Sequence, residues 1–244
     1  MLIVAHRGAS DNLPENTVSA IAAAIELGCD YVEFDVRATA DERLVLMHDE
    51  RLERTTDGSG RVNEKPLREL RELDAGSWMG EAHAGRKVPT LNETLAVLRG
   101  TARFIVDFKE TRPSLVEELV MSLKADDVLD KAVVASPSAL VLSELAATQP
   151  SIPLAVPLRL AFSGPEPVAL DRLKPKLLVA RAADATPEAL AAAGGAGVPV
   201  IVTLPRDLDA AGSLAAARAL ESKGAAGVMT ARARAFLQTG LRML

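Results

Sequence analysis

Two carboxylates, two histidines and an arginine stand at the ends of apolar runs within the first fifty residues of this chain. Glu33 and Asp35 are two apart in a run, 31–37, that otherwise reads as a buried strand. Side chains at i and i+2 of a strand point to one face, and carboxylates that close repel unless a cation sits between them. His6 ends the run 2–5, with Arg7 beside it, and His48 ends a second short run, 44–47. A cation site, two proton carriers and an anion-binding guanidinium are the parts needed to cut a phosphate ester.

Each residue also has a plainer role. Glu33 and Asp35 could simply be neutralised by lysine or arginine at a strand end. If they hold a metal, the all-oxygen donor set favours Mg²⁺ or Ca²⁺ over Zn²⁺, with Mn²⁺ a further candidate. A stable site needs a third carboxylate, which Asp107 in FIVDFKE supplies. Lys109, two beyond Asp107, shares its inward face and either holds phosphate charge or offsets the carboxylates. A lone histidine at a strand end is more often structural than catalytic. Yet the chain has only three histidines, and two of them end such runs, with pKa values suited to proton transfer near neutrality. The third, His83, is assigned to the surface. Arg7 is either an ion-pair partner for Glu33 or Asp35 or a phosphate clamp, and its fork favours the clamp. Glu15 is expected to orient a neighbour at the site, and Asn16 or Thr17 to cap the helix that follows.

The elements that must position these groups alternate. Strand candidates at 2–5, 31–37 (extended by 44–47), 103–108, 132–135, 153–156, 177–180, 198–203 and 227–230 are separated by helix candidates. The latter include 17–27, 91–98, 114–123, 139–147, 187–193 and 208–223. Strict alternation indicates parallel βαβ units, and eight of them close naturally into a (β/α)₈ TIM barrel. A single domain over 1–244 is expected. The stretch from about 50 to 88 is polar, rich in Gly and charge, and too long for an ordinary loop. It is read as a small cap inserted after the second strand and carrying substrate contacts.

Hydrophobic content of 48% is ample for a core, and a net charge of −5 argues against a nucleic-acid partner. The one cysteine, Cys29, allows no internal disulfide and fits a reducing compartment. Met1 leads straight into a strand-like run, without the basic start and longer apolar stretch of a signal peptide. No run approaches the roughly 20 residues of a membrane span. A cytoplasmic location with no membrane insertion is therefore expected, and the oligomeric state is left open.

Taken together, HRG at His6, PENT at 14–17, E-x-D at Glu33 and Asp35, and HD-x-x-L-x-RTT-x-G-x-G from His48 to Gly60 resemble the glycerophosphodiester phosphodiesterase family. DAGSWMG (74–80) and VPTLNETL (88–95) extend the resemblance, which is dense over roughly the first 110 residues. It implies a TIM barrel, a divalent cation at Glu33, Asp35 and Asp107, and His6 and His48 as general acid and base on opposite sides of phosphorus. The implied reaction is hydrolysis of a small-molecule glycerophosphodiester to glycerol 3-phosphate and an alcohol. A lyase-type cleavage giving a cyclic phosphate is the alternative enzyme, and a barrel that binds phosphodiesters without turnover is the alternative from another class.

The second half departs from the family pattern. Asp107 stands where the family usually has glutamate, Pro137 follows Ser136 where an aromatic is usual, Leu204 follows Thr203, and Ala231 follows Thr230. With 3% aromatic residues, Trp78 is left either to pack on the substrate or to form a core for the cap.

Overall fold

Short runs of apolar and β-branched residues become strands wherever they can be buried on both faces. They are β1 (Leu2–His6), β2 (Tyr31–Ala38), β3 (Leu44–Leu46), β4 (Phe104–Phe108), β5 (Ala132–Ala135), β6 (Leu154–Pro157), β7 (Leu177–Arg181), β8 (Val200–Thr203) and β9 (Gly227–Thr230). The computed structural model describes residues 1–100, 102–162 and 168–239. The domain expected over 1–244 runs on into 240–244, which lie outside the described residues. All strands except β3 pair in parallel in the order β1-β9-β8-β7-β6-β5-β4-β2, and β1 pairs with β2 to close the barrel.

Helices fill the connections: α1 (Val18–Glu26), α2 (Leu67–Leu70), α3 (Leu91–Leu98), α4 (Val116–Ala125), α5 (Ala139–Thr148), α6 (Leu158–Phe162), α7 (Leu170–Leu173), α8 (Pro187–Gly195), α9 (Ala210–Glu221) and α10 (Ala233–Gln238). Several start where a side-chain oxygen accepts an otherwise orphaned backbone N–H. Thr17, Ser138, Thr186 and Asp209 cap α1, α5, α8 and α9, and Thr90 with Glu93 forms a reciprocal capping box at α3. No helix among the described residues is long and apolar enough to cross a membrane.

Period-two alternation divides the strand residues between two cores. Val4, Tyr31, Ile105, Val133, Ala155, Leu177, Ile201 and Met229 fill the barrel interior. Residues such as Ile3, Val32, Phe34, Val106, Val134 and Val202 pack outward under the helices. His6, two beyond Val4, and Glu33 and Asp35, two and four beyond Tyr31, continue the inward rows to the C-terminal rim.

The run 44–47 does not lengthen the second strand. It forms β3, which folds back antiparallel on the end of β2 with Val36 opposite Leu46 and Ala38 opposite Leu44. Residues 41–43 are exposed and polar and make the turn, so the apolar run after them can only re-enter beside β2. The inserted segment then packs Leu52, Val62, Leu70, Ala75 and Val88 against Val45 and Met47 as a small core of its own. Trp78 does not belong to the core of the cap. It is 40% exposed and donates its ring N–H to Ala75 O, outside that core and outside the barrel cavity. His83 is half-buried rather than a free surface residue.

Candidate active site

Register decides which of the candidate residues meet. His6 pairs with Glu33 across β1 and β2, and Asp35 with Asp107 across β2 and β4. Partners in a parallel ladder face the same side, so the ligand atoms of Glu33, Asp35 and Asp107 all lie within 4.8 Å of one another. Glu33 and Asp35 are each 1% exposed. Their parity places them inward, and the closed barrel removes the water that would otherwise solvate them.

The carboxylates are electrostatically unequal. Burial, with Asp35 and Asp107 beside it, pushes the Glu33 carboxyl well above the usual range. Burial acts to raise Asp35 too, but Lys109 and Arg7 outweigh it and hold Asp35 low. Asp107 is raised, chiefly by burial. Lys109 Nζ sits 2.9 Å from Asp35 Oδ1, outside hydrogen-bond geometry, and hydrogen-bonds Asp107 Oδ2. Lys109 thus offsets the charge of both aspartates, and it also lines the cavity. Three carboxylates offer hard oxygen donors, and the buried Asp35 Oδ1 has no hydrogen-bond partner. Such a set suits a divalent cation, and the cluster can hold a metal ion.

The loop after β1 is built around that cluster. Arg7 (φ 60°) and Asn16 (φ 56°) both take the left-handed backbone region, at a cost of about 1–3 kcal/mol each, and Asn16 N–H donates to Arg7 O at 3.1 Å. Gly8, at φ 81°, has no alternative: a Cβ there would lie 2.5 Å from the carbonyl carbon of Ala20 in α1. Arg7 N–H donates to Glu33 Oε2 at 2.9 Å. Asn16 grips Asp35 twice, donating from Nδ2 to Oδ2 at 2.8 Å and accepting the Asp35 N–H at 3.1 Å. Thr17 caps α1, which leaves Asn16 to position the acid.

Glu15 is the hub of the arginine network. Its carboxylate accepts from Arg7 Nη1 at 2.7 Å and from Arg54 Nη2 and Nη1 at 2.7 and 3.1 Å, and it pairs with Arg206 Nη2 at 3.2 Å. Burial alone would raise its pKa, but the Arg54 hydrogen bond and the three guanidinium charges pull it down to about 2. Arg54 reaches onward to Asp49 Oδ2 at 2.6 Å, and Asp49 Oδ1 lies 2.6 Å from His48 Nδ1. Because β3 runs antiparallel, Met47 N–H donates to Asp35 O at 3.1 Å, which returns His48 to the level of the carboxylates. His6 is buried with Nε2 4.0 Å from Glu33 Oε2. Burial and the Arg7 charge lower its pKa to about 3, so its ring is neutral.

His6, Arg7, Glu33, Asp35, His48, Asp107 and Lys109 all line one cavity of about 310 Å³, and Glu15 stands behind its wall. The inserted segment contributes no lining residue to this cavity. Residues 50 and 61–63 border a smaller adjoining pocket that shares Lys109. Asn16, Asp49, Arg54 and Arg206 were not anticipated in these roles. The first three lie inside the quoted motifs, whereas Arg206 follows β8 with no local pattern to mark it.

The sequence model of the glycerophosphoryl diester phosphodiesterase family matches residues 6–210. The chain belongs to that family. A glycerophosphodiester phosphodiesterase of Caldanaerobacter subterraneus subsp. tengcongensis is 39% identical over 140 residues, 55% of this chain and 57% of that protein. One from Bacillus subtilis is 40% identical over 141 residues, 54% of this chain and 48% of that protein. The chain thus spans about half the length of the curated relatives it matches. The crystal structure of an Agrobacterium tumefaciens glycerophosphodiester phosphodiesterase superposes with a TM-score of 0.81 at 28% identity, covering 98% of this chain and 99% of that one. An Oleispira antarctica phosphodiesterase in complex with the product sn-glycerol-3-phosphate superposes with a TM-score of 0.84 at 26% identity over 100% and 97% of the two chains. The parallel barrel is therefore the family's fold.

Proposed function

We propose that this chain hydrolyses a glycerophosphodiester to glycerol 3-phosphate and an alcohol, with a divalent cation, Mg²⁺ or Ca²⁺, at Glu33, Asp35 and Asp107. The observation that carries the reading is the convergence of three carboxylates, two histidines, Arg7 and Lys109 on one cavity at the C-terminal rim, where barrel active sites form. A cation held there would draw charge from a non-bridging phosphate oxygen. Arg7 and Lys109, both paired with Asp35, present positive charge to the same phosphate.

His6, at the cavity wall with Nε2 4.0 Å from Glu33 Oε2, is assigned as the acceptor of the nucleophile's proton. Attack by water gives glycerol 3-phosphate directly, whereas attack by the glycerol 2-hydroxyl gives a cyclic phosphate that water must then open. As the new oxygen–phosphorus bond forms and the bond to the alcohol breaks, His48, its Nδ1 side held by Asp49, is placed to return a proton to the departing oxygen. Paired proton carriers favour turnover over binding alone. The single cysteine, Cys29, supports a reducing, cytoplasmic setting for this reaction.

The deciding experiment follows glycerophosphodiester turnover by phosphorus NMR in ¹⁸O-labelled water, with added Mg²⁺ or Ca²⁺ and with excess chelator. Labelled glycerol 3-phosphate formed only with metal is expected. A stable cyclic phosphate would replace hydrolysis by the cyclising reaction, full activity in chelator would remove the metal, and binding without turnover would make the barrel a receptor.

A further inference from the structure

The half of the cavity away from the carboxylates has its own charge pattern, contributed by the distal strands where the family resemblance thins. Arg159 lies in α6 immediately after β6, and Arg181 is the last residue of β7. These strands are adjacent and parallel, with Pro157 opposite Val179. Both arginines line the cavity, together with Ser136 and Thr203. Among the described residues neither makes an ion pair, whereas Arg7, Arg54, Arg206 and Lys109 all hold carboxylates. Asp184 shares this wall but lies in ion-pair contact with neither of them, so the wall carries a net positive charge.

We propose that Arg159 and Arg181 form an anion subsite for the alcohol half of the diester, so that the favoured substrate carries a second oxyanion, phosphate or carboxylate, on that alcohol. The proposal rests on the phosphodiesterase reading of the same cavity and adds the substrate class. Guanidinium groups recognise such oxyanions through paired N–H donors. They repel the ammonium of a cationic alcohol, and among the described residues no Phe, Tyr or Trp lines the cavity to hold a quaternary ammonium by its ring face. Both arginines are exposed, so they are available to a ligand and their replacement leaves the core intact.

The test uses three diesters of glycerol 3-phosphate that differ only in the alcohol: glycerol, glyceric acid and glycerol phosphate. With the activating divalent cation present, the wild-type protein should cleave at least one anionic diester with kcat/KM tenfold or more above the neutral one, mainly through KM. The ratio between the two anionic diesters identifies the recognised group. In the Arg159→Gln/Arg181→Gln double variant the preference should disappear, while kcat/KM for the neutral diester stays within about twofold. Equal rates on all three diesters in the wild type, or a preference that survives the double substitution, overturns the subsite. If none of the diesters is cleaved, the phosphodiesterase reading fails, and calorimetric binding of the same three compounds then judges the subsite alone. Tighter binding of an anionic diester that is lost in the double variant supports it, and equal affinities overturn it.

Discussion

Glu15→Gln is predicted to destabilise the protein far more than a change of one oxygen to an amide nitrogen would suggest, because the carboxylate balances three guanidinium groups. Its pKa is held at about 2 against an ordinary 4.5. At about 1.36 kcal/mol per pH unit, the ionised form therefore contributes roughly 3 kcal/mol to stability at neutral pH. For a domain of this size that corresponds to a fall in Tm of roughly 6–12 °C. The folded-state pKa is depressed, so the contribution is complete above the unfolded value near 4.5 and is lost as pH falls toward 2. Urea unfolding of wild type and variant at pH 7 and at a series of lower pH values measures it. The gap between the two proteins should be widest at neutral pH and narrow below about pH 4.5. A gap under about 0.5 kcal/mol at pH 7, the range of an ordinary surface substitution, or one that widens on acidification would refute the charge-hub reasoning.

Two further outcomes follow from the site. His6→Ala and His48→Ala should each lower kcat by roughly 10²-fold or more with circular dichroism unchanged. Recovery of the His48 variant on a nitrophenyl ester is expected of the acid, recovery of the His6 variant instead would reverse the two roles, and wild-type rates in either would remove it from the mechanism. Gly8→Ala should cost roughly 2–4 kcal/mol, combining a left-handed backbone penalty with overpacking against Ala20, whose carbonyl carbon would lie 2.5 Å from the new Cβ. Unchanged urea stability would show that α1 can draw back from the loop.

The sequence by itself determined the alternation of strand and helix, and with it the barrel. Apolar runs of four to eight residues between amphipathic segments have few other ways to bury both faces. It also determined that Glu33 and Asp35 share one face, because alternation along a strand is local geometry. The short motifs marked His6, Arg7 and His48 for the same reason: each lies next to the run that positions it.

What neighbouring strands do to one another was decided only by the tertiary structure. The register that sets Asp35 level with Asp107 depends on pairing between segments some seventy residues apart. The hairpin that returns His48 to the carboxylates depends on which way the run 44–47 turns, and its apolar pattern reads the same in either direction. The gathering of Arg7, Arg54 and Arg206 on Glu15 joins three separate loops, and Arg159 and Arg181 come together because β6 and β7 are adjacent. Long side chains at loop positions have no periodicity to betray their direction. Their roles arise from charges brought close in a cavity that exists only once the barrel has closed.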